Sequence, residues 1–433
     1  MSLTLIGIIG ILLLFLFIFA RMPVGFAMAL VGGVGFAMIT SPTSALSLMA
    51  RDFFDVFGSY NLTVIPLFIL MGQIAFHSGI SGNLFDAANK FLGRLPGGLA
   101  VAAVGACAAF STVCGSTNAT AATMGSVILP EMKKHRYNPS FSAGLVAASS
   151  SLGVLIPPSV IFIVYGVMTE QSINKLFAAG ILPGMLLTGL LIITAMIWIL
   201  KNPSLAPRGS YFSWKERIRS LSGLLEILLL FVLIMGGLFF GFFTPTEAAG
   251  IGAFGALVIA VCRRTFTFKM LVQSLLETTR ISCMIMIIVA GATVFSHFLA
   301  ITQIPFEIAK TISSLQLPAP VVILLIIVGF IIGGCFIDSL ALIMLMVPIF
   351  YPVVLALGYD PIWFGVVCVM VLQIGVITPP VGINVYVIAG IDREIPMASI
   401  FKSSIPFLIA IIIATILLIP FPKLALFLPS LMG

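Results

Sequence analysis

Two stretches place polar side chains inside otherwise apolar sequence. They are Ser111-Thr-Val-Cys-Gly-Ser-Thr-Asn-Ala-Thr120 and Gly333-Gly-Cys-Phe-Ile-Asp-Ser339. Each is followed by a helix-breaking string, Gly153-Val-Leu-Ile-Pro-Pro-Ser159 in one case and Gly375-Val-Ile-Thr-Pro-Pro-Val-Gly-Ile-Asn384 in the other. Hydroxyls, amides and the carbonyls of unwound backbone are hard oxygen donors that suit an alkali cation. His77, His135 and His297 are scattered, and the six cysteines show no C-x-x-C pairing, so zinc or redox chemistry has no ligand set and a membrane enzyme has no converging groups. Each cysteine reads as a buried small hydrophobe. Asp338 is the single acid within the apolar stretch 319–350. An ionisable group at that depth is functional by default, as a cation ligand or a proton-coupling group, with a structural hydrogen-bonding role as the alternative. Glu131, Glu226 and Glu277 lie nearer the ends of apolar runs, where solvated or ion-paired roles are expected. Small residues alone would only let helices pack closely. A polar stretch combined with a Pro-Pro break asks for more than packing.

The elements that must carry these groups follow from composition. Charged residues make up 8% of the 433, against about 25% in an ordinary soluble domain. With 61% hydrophobic residues and a mean hydropathy of +1.25, the chain cannot cover a water-facing surface. A soluble enzyme, a nucleic-acid binder and a disordered scaffold are excluded, leaving an all-α polytopic membrane protein embedded in the lipid bilayer. The 40 glycines and 25 prolines point to discontinuous helices, which membranes tolerate where neighbouring structure re-satisfies the backbone.

Apolar runs predict spans at 3–20, 24–39, 62–80, 176–200, 223–243, 246–262, 281–301 and 403–421. The first has no small-residue cleavage site after it and is expected to be retained. The net charge of +7 is read by position. Clusters at Arg21, Lys90–Arg94, Lys133–Arg136, Lys201–Arg219, Arg263–Lys269 and Arg393–Lys402 all fall on one side if that side is cytoplasmic. Both termini are then outside. Residues 95–131 start and end beside basic clusters, so they should enter and leave on the same face as a re-entrant helical hairpin. Residues 140–169 should cross as a helix broken at its Pro-Pro pair. Trp214, Trp363 and Tyr211 are expected as interfacial anchors.

An internal repeat supports this layout. Gly153-Val-Leu-Ile-Pro-Pro158 returns as Gly375-Val-Ile-Thr-Pro-Pro380, an offset of 375 − 153 = 222. Tyr137-Asn-Pro139 and Tyr359-Asp-Pro361, Leu95-Pro96 and Leu317-Pro318, and Pro130 and Pro352 share that offset. The loop that is basic at Lys133, Lys134 and Arg136 is uncharged at Leu355, Ala356 and Gly358, so equivalent loops lie on opposite faces. The repeat is inverted, and it predicts a second hairpin at about 319–352 and a second broken helix at 362–389. Such pairs mark secondary carriers, with ligands near the midplane where hairpin tips meet helix breaks. Stretches 81–94 and 304–316 read as amphipathic surface helices, with Leu84, Phe85, Ala88, Phe91 and Leu92 on one face and Ile308, Ile312 and Leu315 on the other copy's. They are arms beside a moving part or plain interfacial anchors. His77 and His297 occupy similar places in the two copies and mark interface ends.

The string Phe243-Thr-Pro-Thr-Glu-Ala-Ala249 resembles a signature of the large membrane subunit of tripartite ATP-independent periplasmic (TRAP) transporters. Gly115-Ser-Thr-Asn-Ala-Thr120, Leu155-Ile-Pro-Pro-Ser159, Phe336-Ile-Asp-Ser-Leu-Ala341, Val347-Pro-Ile349 and Gly375–Asn384 are also similar to that family's motifs. The first tip departs from the family's commoner Gly-Ser-Ser. The resemblance implies an elevator-type transporter of the bacterial inner membrane that imports small organic acids, C4-dicarboxylates or sialic acids among them, on a sodium gradient. It implies two partners, a small four-helix membrane subunit on a separate chain and a periplasmic substrate-binding protein, and no cofactor beyond the sodium ion. Carried onto matching positions, sodium site one would comprise Ser111, Gly115, Ser116, Asn118, Gly153, Ile156 and Pro157. Sodium site two would comprise Gly334, Asp338, Gly375, Thr378 and Pro379. Thr117, Pro158, Ser339, Pro380 and Asn384 would lie near the substrate.

The chain therefore divides into N-terminal scaffold spans (1–61), repeat one (62–200), a central cytoplasmic loop with two scaffold spans (201–280) and repeat two (281–422). The alternatives are a stand-alone sodium/divalent-anion symporter, which would purify without partners, and a channel, which would conduct without saturating.

Overall fold

The computed structural model describes residues 2–93, 97–207, 213–314 and 317–432. Arg94, Leu95, Pro96, Arg208, Tyr211 and Leu315, and the side chains of Arg219 and Ile312, lie outside the described residues. Among those described there are only helices and turns.

The chain begins with α1 (Leu3–Phe19) and α2 (Val24–Ile39), which reverse at Arg21. Next comes α3 (Pro42–Phe57), capped by Ser41, whose hydroxyl accepts from the Ser44 amide. Apolar runs do not predict α3, because only one face of it is apolar. It is a further amphipathic helix of the kind expected at 81–94. After a 3₁₀ turn, α4 (Val64–His77) leads to the amphipathic α5 (Ile80–Leu92). A hairpin of α6 (Gly98–Cys114) and α7 (Thr117–Lys134) follows. The helix α8 (Pro139–Ser149) then unwinds through a 3₁₀ turn, Ser150–Val154, and the Pro-Pro pair before α9 (Val160–Thr169). Beyond α10 (Ile173–Lys201) stand α11 (Trp214–Phe239) and α12 (Pro245–Cys262). The second copy comprises α13 (Phe268–Ile301), the surface helix α14 (Ile304–Ser314), and a hairpin of α15 (Ala319–Gly334) and α16 (Ser339–Ala356). It closes with a broken pair, α17 (Pro361–Gly375) and α18 (Ile383–Ile391), then α19 (Met397–Leu417) and a short α20 (Lys423–Ser430) that sequence reading omits. Among the described residues, seven helices are long and apolar enough to cross a membrane by length and composition. The 34 residues of α13 extend about 50 Å, well beyond the roughly 30 Å hydrocarbon core, so its first turns stand outside it.

Short sequence signals explain where helices start. Asn138 caps α8 with its Oδ1 on the Phe141 amide, and Asp360 caps α17 with Oδ1 on the Ile362 and Trp363 amides. Pro139 and Pro361 occupy the first turn, where a missing amide hydrogen costs nothing. The repeated Tyr-Asn/Asp-Pro string is therefore a helix-start device used once per copy. The Thr-Pro-Thr-Glu string has the same kind of cause: Thr244 and Glu247 form a reciprocal capping box on α12, with Pro245 at its first position.

Two bodies emerge from the packing. In the frame, α13 lies along α2 and α4, α12 packs on α4, and α11 packs on α12 and α5. The crossing of α2 and α13 is backbone on backbone. A Cβ at Gly32 would stand 2.8 Å from the Phe295 Cα, and one at Gly291 would overlap the Gly25 carbonyl oxygen. The second body holds both hairpins and both broken helices, with α10 and α19 around them. Here α7 packs on α18 and α16 on α9, so each hairpin leans on the other copy's broken helix. Ser151 donates to Gln373 Oε1 at 3.0 Å, and these residues are themselves 222 apart. Equivalent positions thus touch beside the pseudo-twofold axis. At the ends, Tyr165 donates to the Pro361 carbonyl, and Lys133 meets Glu394 at 2.6 Å and holds its carboxyl below the usual carboxylate range. The amphipathic helices α5 and α14 pack on α6 and α16 respectively.

Three expectations need correction. Trp363 is not an interfacial anchor: it is buried, its indole donates to the Leu418 carbonyl at 2.9 Å, and it stacks on Tyr359. Cys262 and Cys283 face outward rather than inward, and Cys335 is half-buried at the second tip, while Cys107, Cys114 and Cys368 are buried as expected. The histidines are more than markers, since His77 pairs with Glu277 and His297 with the buried Asp52 of α3. Elsewhere Glu226 pairs with Arg263 at 2.5 Å, and Glu131 with Lys134 and His135.

The close crossing makes a prediction. Gly291→Val should destabilise the detergent-solubilised protein by about 1–3 kcal/mol or more, through overpacking. Gly250→Val, where a side chain meets open space, should not. Equal melting temperatures for the two variants would contradict the packing.

Candidate functional site

The first tip is built at Gly115, which ends α6 in the left-handed region at φ 65°. Only glycine takes that conformation readily, and a side chain would also stand 2.8 Å from the Pro158 carbonyl oxygen. Ser116 then caps α7, its hydroxyl facing the Ala119 amide. The tip rests directly on the first break. The Val160 amide donates to the Gly115 carbonyl, and a Cβ at Gly153 would stand 2.6 Å from the Ser116 carbonyl oxygen and 2.7 Å from Thr120 Oγ1. Oxygens of Ser116, Pro158 and Thr120 therefore gather round two glycines. Among the predicted members, Ser111 is buried with its hydroxyl on the Cys107 carbonyl, and Ile156 packs toward Gly184. Pro157 forms the break with Pro158 through a cis bond.

The second tip repeats the arrangement. Gly334 and Gly375 meet backbone to backbone, such that a Cβ on Gly375 would stand 2.7 Å from Gly334. The Val381 amide donates to the Cys335 carbonyl, joining tip to break beyond the Pro379-Pro380 pair. Asp338 caps α16, its Oδ2 accepting from the Leu340 amide at 3.1 Å. The Thr378 hydroxyl returns to the Ile374 carbonyl at 2.5 Å.

A cavity of about 300 Å³ opens between the tips and the frame. Gly115, Ser116, Thr117, Asn118, Asp338 and Ser339 line it from the hairpin side. The N-termini of α7 and α16 both reach it; that of α16 is occupied by the Asp338 carboxylate, and that of α7, capped by the neutral Ser116, is the end that favours an outside anionic group. Ser111, Gly153, Ile156, Pro157, Gly334, Gly375, Thr378 and Pro379 stand behind the tips and outside the lining, as do Pro158 and Pro380. Asn384, expected near the substrate, is fully buried and donates to the Ala147 carbonyl of α8 at 3.0 Å, where it joins the two broken helices.

Sequence reasoning missed four polar residues here. Thr120 and Ser159 are buried with no partner for their hydroxyls, one beside Gly153 and one just past the first break. Thr120 closes the polar stretch and Ser159 follows Pro-Pro, so both had a local signal. Gln73 and Glu277 line the cavity from α4 and α13; Gln73 carries no signal, and Glu277, beside an apolar run, reads only as solvated or ion-paired.

The chain matches the family described as Tripartite ATP-independent periplasmic transporter, DctM component, over residues 11–424. It is 37% identical over 397 residues to the C4-dicarboxylate TRAP transporter large permease protein DctM of Pseudomonas aeruginosa, covering 92% of each chain. It is 34% identical over 416 residues to the sialic acid TRAP transporter large permease protein SiaM of Vibrio cholerae, covering 96% of each. A solved structure, the Alcanivorax borkumensis YdaH transporter, shares its fold with a TM-score of 0.61 at 16% identity, over 88% of this chain and 89% of that one. The chain belongs to the DctM component family, the large permease proteins of tripartite ATP-independent periplasmic transporters.

Proposed function

We propose that the chain is the permease subunit of a sodium-coupled importer of small organic acids in the bacterial inner membrane. A periplasmic binding protein delivers the substrate, and a small four-helix subunit completes the membrane part. The observation that carries this reading is the contact of both hairpin tips with both helix breaks, beside one cavity that faces a separate frame. Sodium ions held at the two tip–break junctions neutralise the buried oxygens there and draw each tip onto its break. The substrate carboxylate then meets the α7 N-terminus and the hydroxyls beside it. The hairpins and broken helices move as one body along the frame, the surface arms α5 and α14 bending beside them. With the basic clusters placed in the cytoplasm, both termini are periplasmic. The cavity, bounded by the C-terminal turn of α4 and the first half of α13, then opens inward.

The test separates charge from capping. Asp338→Asn keeps a good N-cap but removes the carboxylate. In proteoliposomes holding the permease, the small subunit and the binding protein, it should raise the sodium concentration for half-maximal uptake about tenfold. A second set, Thr378→Ala and Thr120→Val, should shift it in the same direction. Wild-type sodium dependence in all three variants would contradict the site assignment, and equal uptake with potassium replacing sodium would contradict the coupling ion.

A further inference from the structure

The two walls of the cavity differ in chemistry. On the hairpin side, the Ser116, Thr117 and Asn118 side chains and the N-terminus of α7 offer donors to a carboxylate, while the N-terminus of α16 already holds that of Asp338. On the frame side, Glu277 of α13 faces the cavity with its side chain 49% exposed, beside Gln73, whose Oε1 is buried without a partner. Asp338 is the second acid in the lining, and among the described residues neither lysine nor arginine lines the cavity. The nearest base is His77, whose Nε2 lies 3.5 Å from Glu277 Oε2 without forming a hydrogen bond. The rest of the frame wall is apolar, with Ile69, Phe76, Ile281, Met284 and Ile285.

A dianion seated with one carboxylate at the tips would turn its other carboxylate toward Glu277. Like charges facing each other across the cavity repel, at a cost in affinity that the half-exposure of Glu277 lessens but does not abolish. Cations bound at the tip–break junctions do not relieve this, because Glu277 belongs to the frame and not to the body that carries the tips. Resting on the carrier reading above, we propose that the substrate is a compact zwitterion. Its carboxylate is held at the hairpin tips, and its ammonium or other cationic nitrogen group pairs with Glu277. The cavity volume of about 300 Å³ lies at the small end for ligand sites and fits a molecule of that kind.

Matched probes decide it. Binding to the purified permease with its small subunit, in sodium, is measured for succinate against 4-aminobutyrate and for glutarate against 5-aminopentanoate. In each pair one carboxylate gives way to a protonated aminomethyl group, with the number of carbons unchanged. The ω-amino acids should bind about tenfold tighter than their dicarboxylate partners or better, Glu277→Gln should erase that preference, and Glu277→Asp should keep its sign. The melting temperature of each variant without ligand shows whether it has folded. Tighter binding of the dicarboxylates, an unchanged preference in Glu277→Gln, or no binding of either class would overturn the proposal. Tighter dicarboxylate binding leaves the importer reading standing, whereas failure of the complete assembly to take up any organic acid on a sodium gradient removes both.

Discussion

Everything in the body of hairpins and broken helices depends on two places where backbone lies against backbone without side chains between. At one, Gly153 sits under the Ser116 carbonyl and Gly115 under that of Pro158; at the other, Gly334 meets Gly375. Unwound backbone in a membrane protein leaves carbonyls and amides that lipid cannot satisfy. Here each tip and break supply part of the other's needs, through Val160 to Gly115 and Val381 to Cys335. At the first junction the carbonyl oxygens of Ser116 and Pro158 lie with the unpartnered hydroxyl of Thr120, the donor set on which the proposed sodium site rests.

The inverted repeat turns those two junctions into one unit. Each hairpin packs on the broken helix of the other copy, Ser151 reaches its own repeat-mate Gln373, and Asn384 reaches back to Ala147. A tip therefore cannot shift far without disturbing both breaks. The frame is held differently, by the glycine-lined crossing of α2 and α13. The cavity lies where the two bodies meet, with one wall from each, so the proposed motion would displace one wall against the other.

How much of this could be read in advance depended on whether a feature leaves a local signal. Breaks, tips and helix starts do, because Pro-Pro, Gly-Ser and Asn-Pro act on their own backbone whatever surrounds them. The repeat is legible for the same reason, and its inversion shows in where Lys133, Lys134 and Arg136 lack counterparts. Features that depend on distant contacts were hidden. α3 is too polar to register as an apolar run, yet it buries Asp52 against α13. Trp363 resembles a lipid-facing anchor until Leu418 and Tyr359 close around it. Glu277 acquires meaning only because α13 sets it opposite the tips.

The central claim is that hairpins and broken helices move together relative to the frame. Spin-label distances in proteoliposomes test it most directly, using the exposed positions Arg51 on α3, Leu355 on α16 and Ser172 just past α9. Between potassium alone and sodium with transported substrate, the Arg51–Leu355 distance should shift while the Ser172–Leu355 distance holds. A frame-to-hairpin distance that stays fixed, or a Ser172–Leu355 distance that moves as far, would contradict a single body carried along a fixed frame.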